Sequence, residues 1–256
     1  MIDPTQRFSS RVENYVKYRP SYPAAIVELL KAECGLTQDS IIADVGSGTG
    51  LLSELFLKSG NRVFGIEPNQ EMREAGERLL RGYANFVSVA AAAEATTLDD
   101  HSVDFVTAGQ AFHWFDLDRV GVEFARILES HGWIVLVWNE RRIDSSPFLR
   151  AYEELLHTYA PEYEIVNHKQ IDLDVIRATF HSSDFELTSF DNRQLFDFEG
   201  LKGRLLSSSY APEAGHPNYA PMLEELAAIF RRYQLNDRVS FDYDTQLYYG
   251  QLSSAR

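Results

Sequence analysis

The most constraining feature of the sequence is a run of three glycines at alternate positions, Gly46, Gly48 and Gly50. A short apolar segment, residues 41–45, precedes the run and carries Asp44 near its end, and a segment with helical apolar spacing follows it. This order predicts a buried strand, a tight turn and the N-terminus of a helix. Because glycine lacks a Cβ atom and accepts positive φ, such a turn lets a ligand approach the bare backbone. We therefore expect a ligand-binding site at this turn.

Strand and helix patterns alternate along the first part of the chain. The helix after Asp116 is predicted to run through Leu128, with Gly132 separating it from the next strand, and Asn69 is placed to cap an earlier helix. Such alternation implies crossover connections and a parallel sheet with both faces covered. The predicted strands are residues 41–45, 62–67, 86–89, 103–108 and 133–138.

The remaining chain is less regular, and its loop 208–217 is a candidate substrate loop. Alternating patterns predict strands at 185–190 and 239–252. Helices are predicted at 148–159, 172–180, 201–207 and 221–233. We expect one domain over residues 1–256. Its expected parts are an N-terminal arm or lid (1–23), a cofactor-binding core (36–140), helical additions on the substrate side (141–238) and a last strand (239–252).

The arm is aromatic and basic, in contrast to the acidic remainder. Arg19 could hold a carboxylate of a cofactor or of an acidic substrate, because guanidinium binds carboxylates in a bidentate manner; a surface arginine is the alternative. Tyr15 and Tyr18 could contribute to an aromatic wall around a substrate. Ser21 is a candidate N-cap for a helix that ends at Gly35.

Composition excludes several classes of function. The formal net charge of −14 argues against nucleic acid as a partner, because phosphate backbones require a basic footprint. The single Cys34 excludes an internal disulfide and any multi-cysteine metal site, and no metal is expected. No apolar run approaches the roughly 20 residues that span a bilayer. We expect a soluble cytoplasmic protein, a monomer or a homodimer, without a membrane partner.

Two kinds of ligand fit a glycine turn after the first strand. A nicotinamide or flavin dinucleotide needs glycine where Leu51 stands, since here the third glycine, Gly50, comes one residue early. The Asp44 carboxylate would repel a pyrophosphate but would suit a cationic amino group. Glu67, at the end of the second strand, is placed to accept hydrogen bonds from both hydroxyls of a ribose.

The run from Asp44 to Gly50 resembles the first motif of class I S-adenosylmethionine-dependent methyltransferases, and the resemblance covers about residues 40–140. It implies an α/β fold of Rossmann-like, doubly wound type: a mostly parallel seven-stranded sheet with an antiparallel last strand and helices on both faces. It also implies S-adenosyl-L-methionine as cofactor and S-adenosyl-L-homocysteine as product.

The resemblance also assigns roles to individual residues. Asp44 would lie near the amino-acid moiety, Glu67 would hold the ribose and Met72 would pack on the adenine. Ala93-Glu94 matches the segment that reads the adenine edge, but Ala92 replaces its usual aspartate, so that Glu94 or backbone must supply the contact to the adenine amine. The candidate cofactor-binding residues are Arg19, Asp44, Gly46, Ser47, Gly48, Gly50, Glu67, Pro68, Met72, Ala93, Glu94 and Gln110.

Two short segments, residues 19–23 and 113–116, resemble the trans-aconitate methyltransferase-like (methyltransferase type 11) branch, which methylates small molecules, often on a carboxylate oxygen. His113 is the candidate catalytic residue, as a base for a hydroxyl acceptor. A structural or cofactor-ordering role is the alternative, because a carboxylate with a pKa near ~4 needs no base. The candidate substrate residues are Tyr15, Tyr18, His113 and Trp138.

The leading hypothesis is S-adenosylmethionine-dependent methyl transfer to a small molecule, with oxygen as the acceptor atom, in a carboxylate or a hydroxyl, by in-line displacement. No acid–base pair is obligatory for that reaction, since the protein mainly positions the reactants and excludes water. A catalytically silent cofactor-binding protein and a dinucleotide-dependent oxidoreductase are the alternatives.

Overall fold

The computed structural model describes residues 16–163 and 171–252. In chain order its elements are α1 (Ala25–Glu33), β1 (Ile41–Val45), α2 (Leu51–Lys58), β2 (Arg62–Ile66), α3 (Gln70–Leu80), β3 (Phe86–Val89), β4 (Val103–Gly109), a 3₁₀ turn (Phe112–Trp114), α4 (Leu117–Ile127), β5 (Leu128–Arg141), α5 (Pro147–Tyr159), α6 (Leu173–Phe180), β6 (Glu186–Phe196), α7 (Phe198–Leu206), α8 (Tyr219–Tyr233) and β7 (Val239–Gln251).

The strands form one seven-stranded sheet in the order β3-β2-β1-β4-β5-β7-β6. The neighbours from β3 to β5 pair in parallel, and β7 runs antiparallel to both β5 and β6. This confirms the mostly parallel seven-stranded sheet with an antiparallel last strand. The strand order reverses between β1 and β4, and in such sheets a ligand crevice opens beyond the carboxyl ends of the strands at that point.

Helices cover both faces of the sheet because the inner strands are apolar on both sides. In β1, Ala43 and Val45 face a core that includes Phe124 of α4, whereas Ile42 faces a second core that includes Phe56 of α2. All five of these side chains are fully buried. The parallel strands β1 to β5 and the helices that cover them are called the platform below.

A third core lies beyond the edge of this platform, in a part that we call the cap. The cap consists of α5, α7, α8 and the paired segments 191–196 of β6 and 239–244 of β7. Its interior includes Phe148, Tyr152 and Phe241. The arm joins the cap to the platform: the carbonyl of Ser21 accepts a hydrogen bond of 2.8 Å from the Asn192 side chain. The predicted domain limits stay predictions.

Two predicted boundaries near helix ends are wrong. Ser21 is not an N-cap, because α1 starts at Ala25 with Ala24 in the capping position. Gly132 does not separate α4 from a strand; β5 begins directly after α4, and its pairing with β4 shifts register between Val103 and Phe105. The intervening residues are accommodated as a bulge, which sequence spacing alone does not reveal.

Most other elements match their predictions within a few residues, and Asn69 caps α3 by accepting a hydrogen bond of 2.9 Å from the Met72 amide. The strand predicted at 185–190 is longer, since β6 runs to Phe196. Its second half carries the polar run Asp191 to Gln194, which alternates between exposed and half-buried positions at the edge of the sheet. An edge strand tolerates such polar residues, and this conceals it from hydrophobic periodicity.

Candidate functional site

A cavity opens at the carboxyl ends of β1, β2 and β4, where the strand order reverses. Its wall comes from the glycine turn, the end of β2, the loop after β3 and the segment after β4. The lining residues are Gly46, Gly48, Glu67, Pro68, Asn69, Met72, Ala92, Ala93, Glu94, Gly109, Gln110, Ala111, Trp114 and Phe115. Eight of the twelve candidate cofactor-binding residues are among them, namely Gly46, Gly48, Glu67, Pro68, Met72, Ala93, Glu94 and Gln110. The fold therefore gathers segments that are separate in sequence around one space.

Four amides of the glycine turn already have acceptors within the protein. Those of Gly46 and Ser47 donate to the carbonyl of the last β2 residue at 2.8 and 3.0 Å, and that of Gly50 donates to the Ser47 carbonyl at 2.8 Å. The amide of Gly48 donates to Oε2 of Glu67 at 2.9 Å. A pyrophosphate needs several free amide donors and no facing carboxylate. The turn is therefore suited to close contact with a neutral or cationic ligand.

Glycine is required in this turn for reasons of space as well as conformation. Gly46 and Gly48 have φ angles of +68° and +56°. A Cβ atom on Gly46 would lie 2.6 Å from Cβ of Ala111, and one on Gly48 would lie 3.3 Å from Cε of Met72. Side chains at these positions would push the adjacent wall outward or fill the cavity that the two glycines border.

Glu67 presents a fixed carboxylate to the cavity. Its Oε1 accepts from the Asn69 amide at 2.8 Å, and its Oε2 accepts from the turn at Gly48. Burial raises the pKa of Glu67, whereas the backbone hydrogen bonds from Asn69 and Gly48 and the charge of Arg73 oppose the rise. Each oxygen retains a second lone pair, so the group can accept hydrogen bonds from two adjacent hydroxyls.

Asp44 lies beneath the turn and does not line the cavity. It is fully buried, and its carboxylate accepts hydrogen bonds from Ser53 Oγ at 2.5 Å and from Thr107 Oγ1 at 3.3 Å. Burial raises the pKa of Asp44 to about 7, against the effect of these two hydroxyls. Ser47 and Gly50 likewise shape the turn without lining the cavity. Contact of Asp44 with a cofactor stays a prediction.

The segment after β4 forms the opposite wall. Gln110 has a φ of +56°, a strained angle for a residue with a side chain, and its Nε2 donates to the Asn139 carbonyl at 3.1 Å. Trp114 and Phe115 also line the cavity. Neither ring is among the residues predicted from the sequence to line a site, although their place just after the central strand β4 was the available signal.

His113 and Trp138 lie close to this wall without lining it. The half-buried His113 ring is 4.7 Å from the ring of Trp114. Trp138 is 7% exposed and packs edge-on against Phe112 and Tyr248 in the core. A substrate contact by either residue stays a prediction, and the geometry gives Trp138 a core position.

The candidate residues of the arm contact the cap. Arg19 donates from Nη2 to the carbonyl of Ser207 at 3.0 Å. Tyr18 packs so closely on α7 that a Cβ atom on Gly203 would lie 2.0 Å from its ring. Neither residue lines the cavity. Tyr15 lies outside the described residues.

The segment that is predicted to read the adenine edge is also anchored. Oε1 of Glu94 accepts a hydrogen bond of 2.8 Å from the amide of Asp116, the N-cap residue of α4. Glu94 thereby connects the loop after β3 to the segment after β4, and its second oxygen remains for a ligand. Ala92, which replaces the expected aspartate, lines the cavity with a methyl group only.

Residues 16–163 and 171–252 contain neither a metal-binding cluster nor a membrane-spanning helix. No group of three or more histidine, cysteine, aspartate or glutamate side chains is arranged to hold a metal ion. None of the helices in the same ranges has the length and apolar character needed to cross a membrane.

Comparison with known proteins identifies the fold around the cavity. The family described as "Methyltransferase domain" matches residues 43–136. An uncharacterized methyltransferase-like protein of Schizosaccharomyces pombe is 27% identical over 97% of this chain and 96% of its own length. An uncharacterized methyltransferase of Mycobacterium bovis is 35% identical over 54% of each chain.

A solved structure from Anaeromyxobacter dehalogenans, proposed to be a type II methyltransferase, superimposes with a TM-score of 0.64 at 19% identity. The match covers 93% of this chain and all of the other. At this identity the likeness concerns the fold, and it extends through the cap as well as the parallel platform.

Proposed function

Since the chain belongs to the class I S-adenosylmethionine-dependent methyltransferase superfamily, in its type 11 branch, we propose that it methylates an oxygen atom of a small-molecule acceptor by in-line displacement. Its cofactor is S-adenosyl-L-methionine. The observation that carries the proposal is the cavity in which the glycine turn, the Glu67 carboxylate and the Trp114 wall face one space.

The lining residues fit that cofactor. Glu67 has free lone pairs for two ribose hydroxyls, and Met72 offers an apolar surface next to Gly48 for the adenine. The amides of Gly46, Ser47, Gly48 and Gly50 donate within the protein, and the turn therefore suits a ligand without phosphates. When bound, the cofactor supplies an electrophilic methyl group on a positively charged sulfur. The protein's task is to hold the acceptor in line with this group and to exclude water.

An acceptor that is already ionised agrees best with the composition of the wall. Among the described residues that line the cavity, Glu67 and Glu94 alone are titratable, and both belong to the predicted nucleoside side. A carboxylate acceptor needs no general base, whereas a hydroxyl acceptor does. The wall therefore favours a carboxylate over a hydroxyl. The net charge of −14 favours a small molecule over nucleic acid.

Calorimetry and product analysis test the proposal. We expect S-adenosylmethionine to bind and NADH not to bind. Incubation of a small-molecule cell extract with methyl-labelled cofactor should place the label in a compound that loses it in mild alkali, as a methyl ester does. Binding of NADH alone would contradict the cofactor, and an alkali-stable label would contradict the ester. Cofactor binding without any transfer would favour the catalytically silent alternative.

A further inference from the structure

The two edges of the sheet differ in how they are protected. One edge strand, β3, has four residues, and such a short edge offers few backbone groups to another chain. The other edge strand, β6, has eleven residues and pairs with β7 in an unbroken register. Native proteins commonly interrupt a long edge with proline, lysine or a bulge. None of these occurs in β6, so its outer edge can accept a further strand.

The outer edge of β6 is open in the part of the chain that the structure describes, where β7 is its one paired neighbour. The arm lies over one face of β6. Side chains of that face, Asn192 and Gln194, donate to the arm carbonyls of Ser21 and Tyr18 at 2.8 and 3.2 Å. The alternate residues point to the opposite face and are exposed, namely Leu187, Ser189, Asp191, Arg193 and Leu195. One face and the backbone edge of β6 are therefore available to a partner.

Two leucines flank a pair of opposite charges on this exposed face. Leu187 and Leu195 are 44% and 55% exposed. Between them, the side chain of Asp191 is 88% exposed and pairs through Oδ1 with an arginine of β5. The side chain of Arg193 is 67% exposed and pairs through Nε with an aspartate of β7. Within residues 16–163 and 171–252, no hydrogen bond uses Oδ2 of Asp191 or the terminal nitrogens of Arg193, so both groups can take a further partner.

We propose that β6 is the interface of a homodimer, in which it pairs antiparallel with β6 of a second copy and the sheet continues through both chains. Such pairing has a two-fold axis, so every contact occurs twice. With the axis at Asn192, Asp191 of each chain lies opposite Arg193 of the other. An axis at Asp191 or at Arg193 would instead place that residue opposite its own copy, with like charges together. Charge therefore selects the register that is centred on Asn192.

The apolar side chains of β6 agree with the same register. Leu187 of one chain lies diagonally across from Leu195 of the other, within the reach of long side chains. A strand that complements itself in both charge and apolar contacts points to a second copy of this chain and not to a different protein. A single strand edge buries less area than a typical stable interface, so the dimer should dissociate on dilution.

The molecular mass of the full chain, measured by light scattering between about 1 and about 200 µM, tests the interface. We expect a monomer–dimer equilibrium within this range. Hydrogen exchange at low and high protein concentration locates the contact: amides of β6 should exchange more slowly at high concentration, whereas those of the edge strand β3 should not change. A monomer throughout the range would overturn the proposal, and so would a dimer whose β6 amides exchange equally at both concentrations.

Charge reversal tests the register. Asp191→Arg and Arg193→Asp should each weaken the dimer at least about tenfold, because the axis places like charges opposite each other twice. The double variant Asp191→Arg/Arg193→Asp restores opposite charges across the axis and should regain dimerisation. Unchanged dimerisation in the single variants would refute the interface, and a double variant as weak as the single ones would refute the register.

Lys31→Glu is the matched control for the charge reversals. It reverses an exposed charge of α1 that pairs with Glu28, away from β6, and should leave the dimer unchanged. An equal loss in this control would show that dimerisation responds to net charge, and this would contradict the proposed contact. S-adenosylhomocysteine affinity should stay the same in all these variants, because none of the substituted residues lines the cavity. The interface thus stands or fails independently of the proposed methyl transfer.

Discussion

The platform and the cap build their polar sites in opposite ways. In the platform, each segment of the cavity wall directly follows a strand, and its groups are fixed by neighbours in sequence, as Glu67 is by Asn69. In the cap, a buried polar group draws on β5, α5, α7 and β7, namely Arg141, Tyr152, Arg204 and Tyr243. Arg204 meets Tyr243 only because these elements pack together. A site at the ends of parallel strands is thus a product of local motifs, whereas a site inside a helical cap is a product of packing.

The two parts also bury charges of opposite sign. The platform buries the carboxylates Asp44 and Glu67, and burial raises the pKa of both. The cap buries the guanidinium groups of Arg141 and Arg204 among aromatic rings. A carboxylate environment suits a cationic ligand such as a sulfonium.

The largest effect is expected at the glycine turn, because the cavity of the platform depends on the backbone conformation of that turn. Gly46→Ala should lower the free energy of unfolding by roughly 2–5 kcal/mol, from positive φ and overpacking together. Gly35→Ala is the control, since its φ is +69° against +68° for Gly46, but no atom lies within 4 Å of its added Cβ. Urea unfolding measures both. Equal losses in the two variants would show that the contact with Ala111 is unimportant.

The second prediction concerns the buried carboxylate of the platform. Asp44 ionises at about pH 7 in the fold and at about 3.8 when unfolded, so the folded state retains the proton between these values. The free energy of unfolding should therefore fall as pH rises from about 4 to about 7, by at most about 1.4 kcal/mol per pH unit. Asp44→Asn should flatten this slope in denaturation curves recorded across that range. An unchanged slope would assign the pH dependence to other groups.

The third prediction concerns the ribose assignment. Glu67→Ala should weaken S-adenosylmethionine binding at least tenfold, since a charge-assisted hydrogen-bond pair exceeds ~1.4 kcal/mol. Glu67→Gln keeps one acceptor oxygen and should lose less. Titration calorimetry measures the cofactor affinity of both variants. Cofactor affinity that survives the alanine substitution would remove Glu67 from the ribose site.

The fourth prediction concerns a buried hydrogen bond of the cap. Tyr243→Phe removes a hydroxyl that accepts from Arg204 and donates to Gln194 at 3.0 Å. It should lower stability by about 1 kcal/mol or more, because buried partners lose their hydrogen bonds. Tyr248→Phe, whose hydroxyl bonds only to the half-buried Gln246, is the control with a smaller loss. Thermal unfolding gives both values, and a change in cofactor affinity in Tyr243→Phe would contradict the independence of the two sites.

The smallest effect is expected at His113. His113→Ala should leave cofactor affinity within about threefold of wild type, because its ring packs against Trp114 and does not line the cavity. Binding and turnover are measured separately, with Trp114→Ala as the lining-residue comparison. Complete loss of turnover with intact binding would make His113 the catalytic base and the acceptor a hydroxyl.

The strands and the glycine turn were predictable because their signals are local. Gly46, Gly48 and Gly50 follow an apolar strand directly, and Asn69 caps α3 from a position only three residues away from its partner. The second half of β6 was not predictable. Polar residues are tolerated in a strand at the edge of a sheet, so this segment has no hydrophobic periodicity. Trp114 and Phe115 were not predicted as cavity residues, because the direction of a side chain after β4 depends on the backbone turn at Gln110, whose φ is positive.

The sequence by itself determined the parallel sheet, the ligand-accepting turn and the carboxylate at the end of β2. These depend on φ preferences, helix caps and apolar runs, which act over a few residues. Tertiary structure alone decided that Asp44 lies under the cavity and that Arg141 and Arg204 share an aromatic core. Burial and the absence of a counterion are properties of what packs around a side chain, and those neighbours come from elements far apart in the chain.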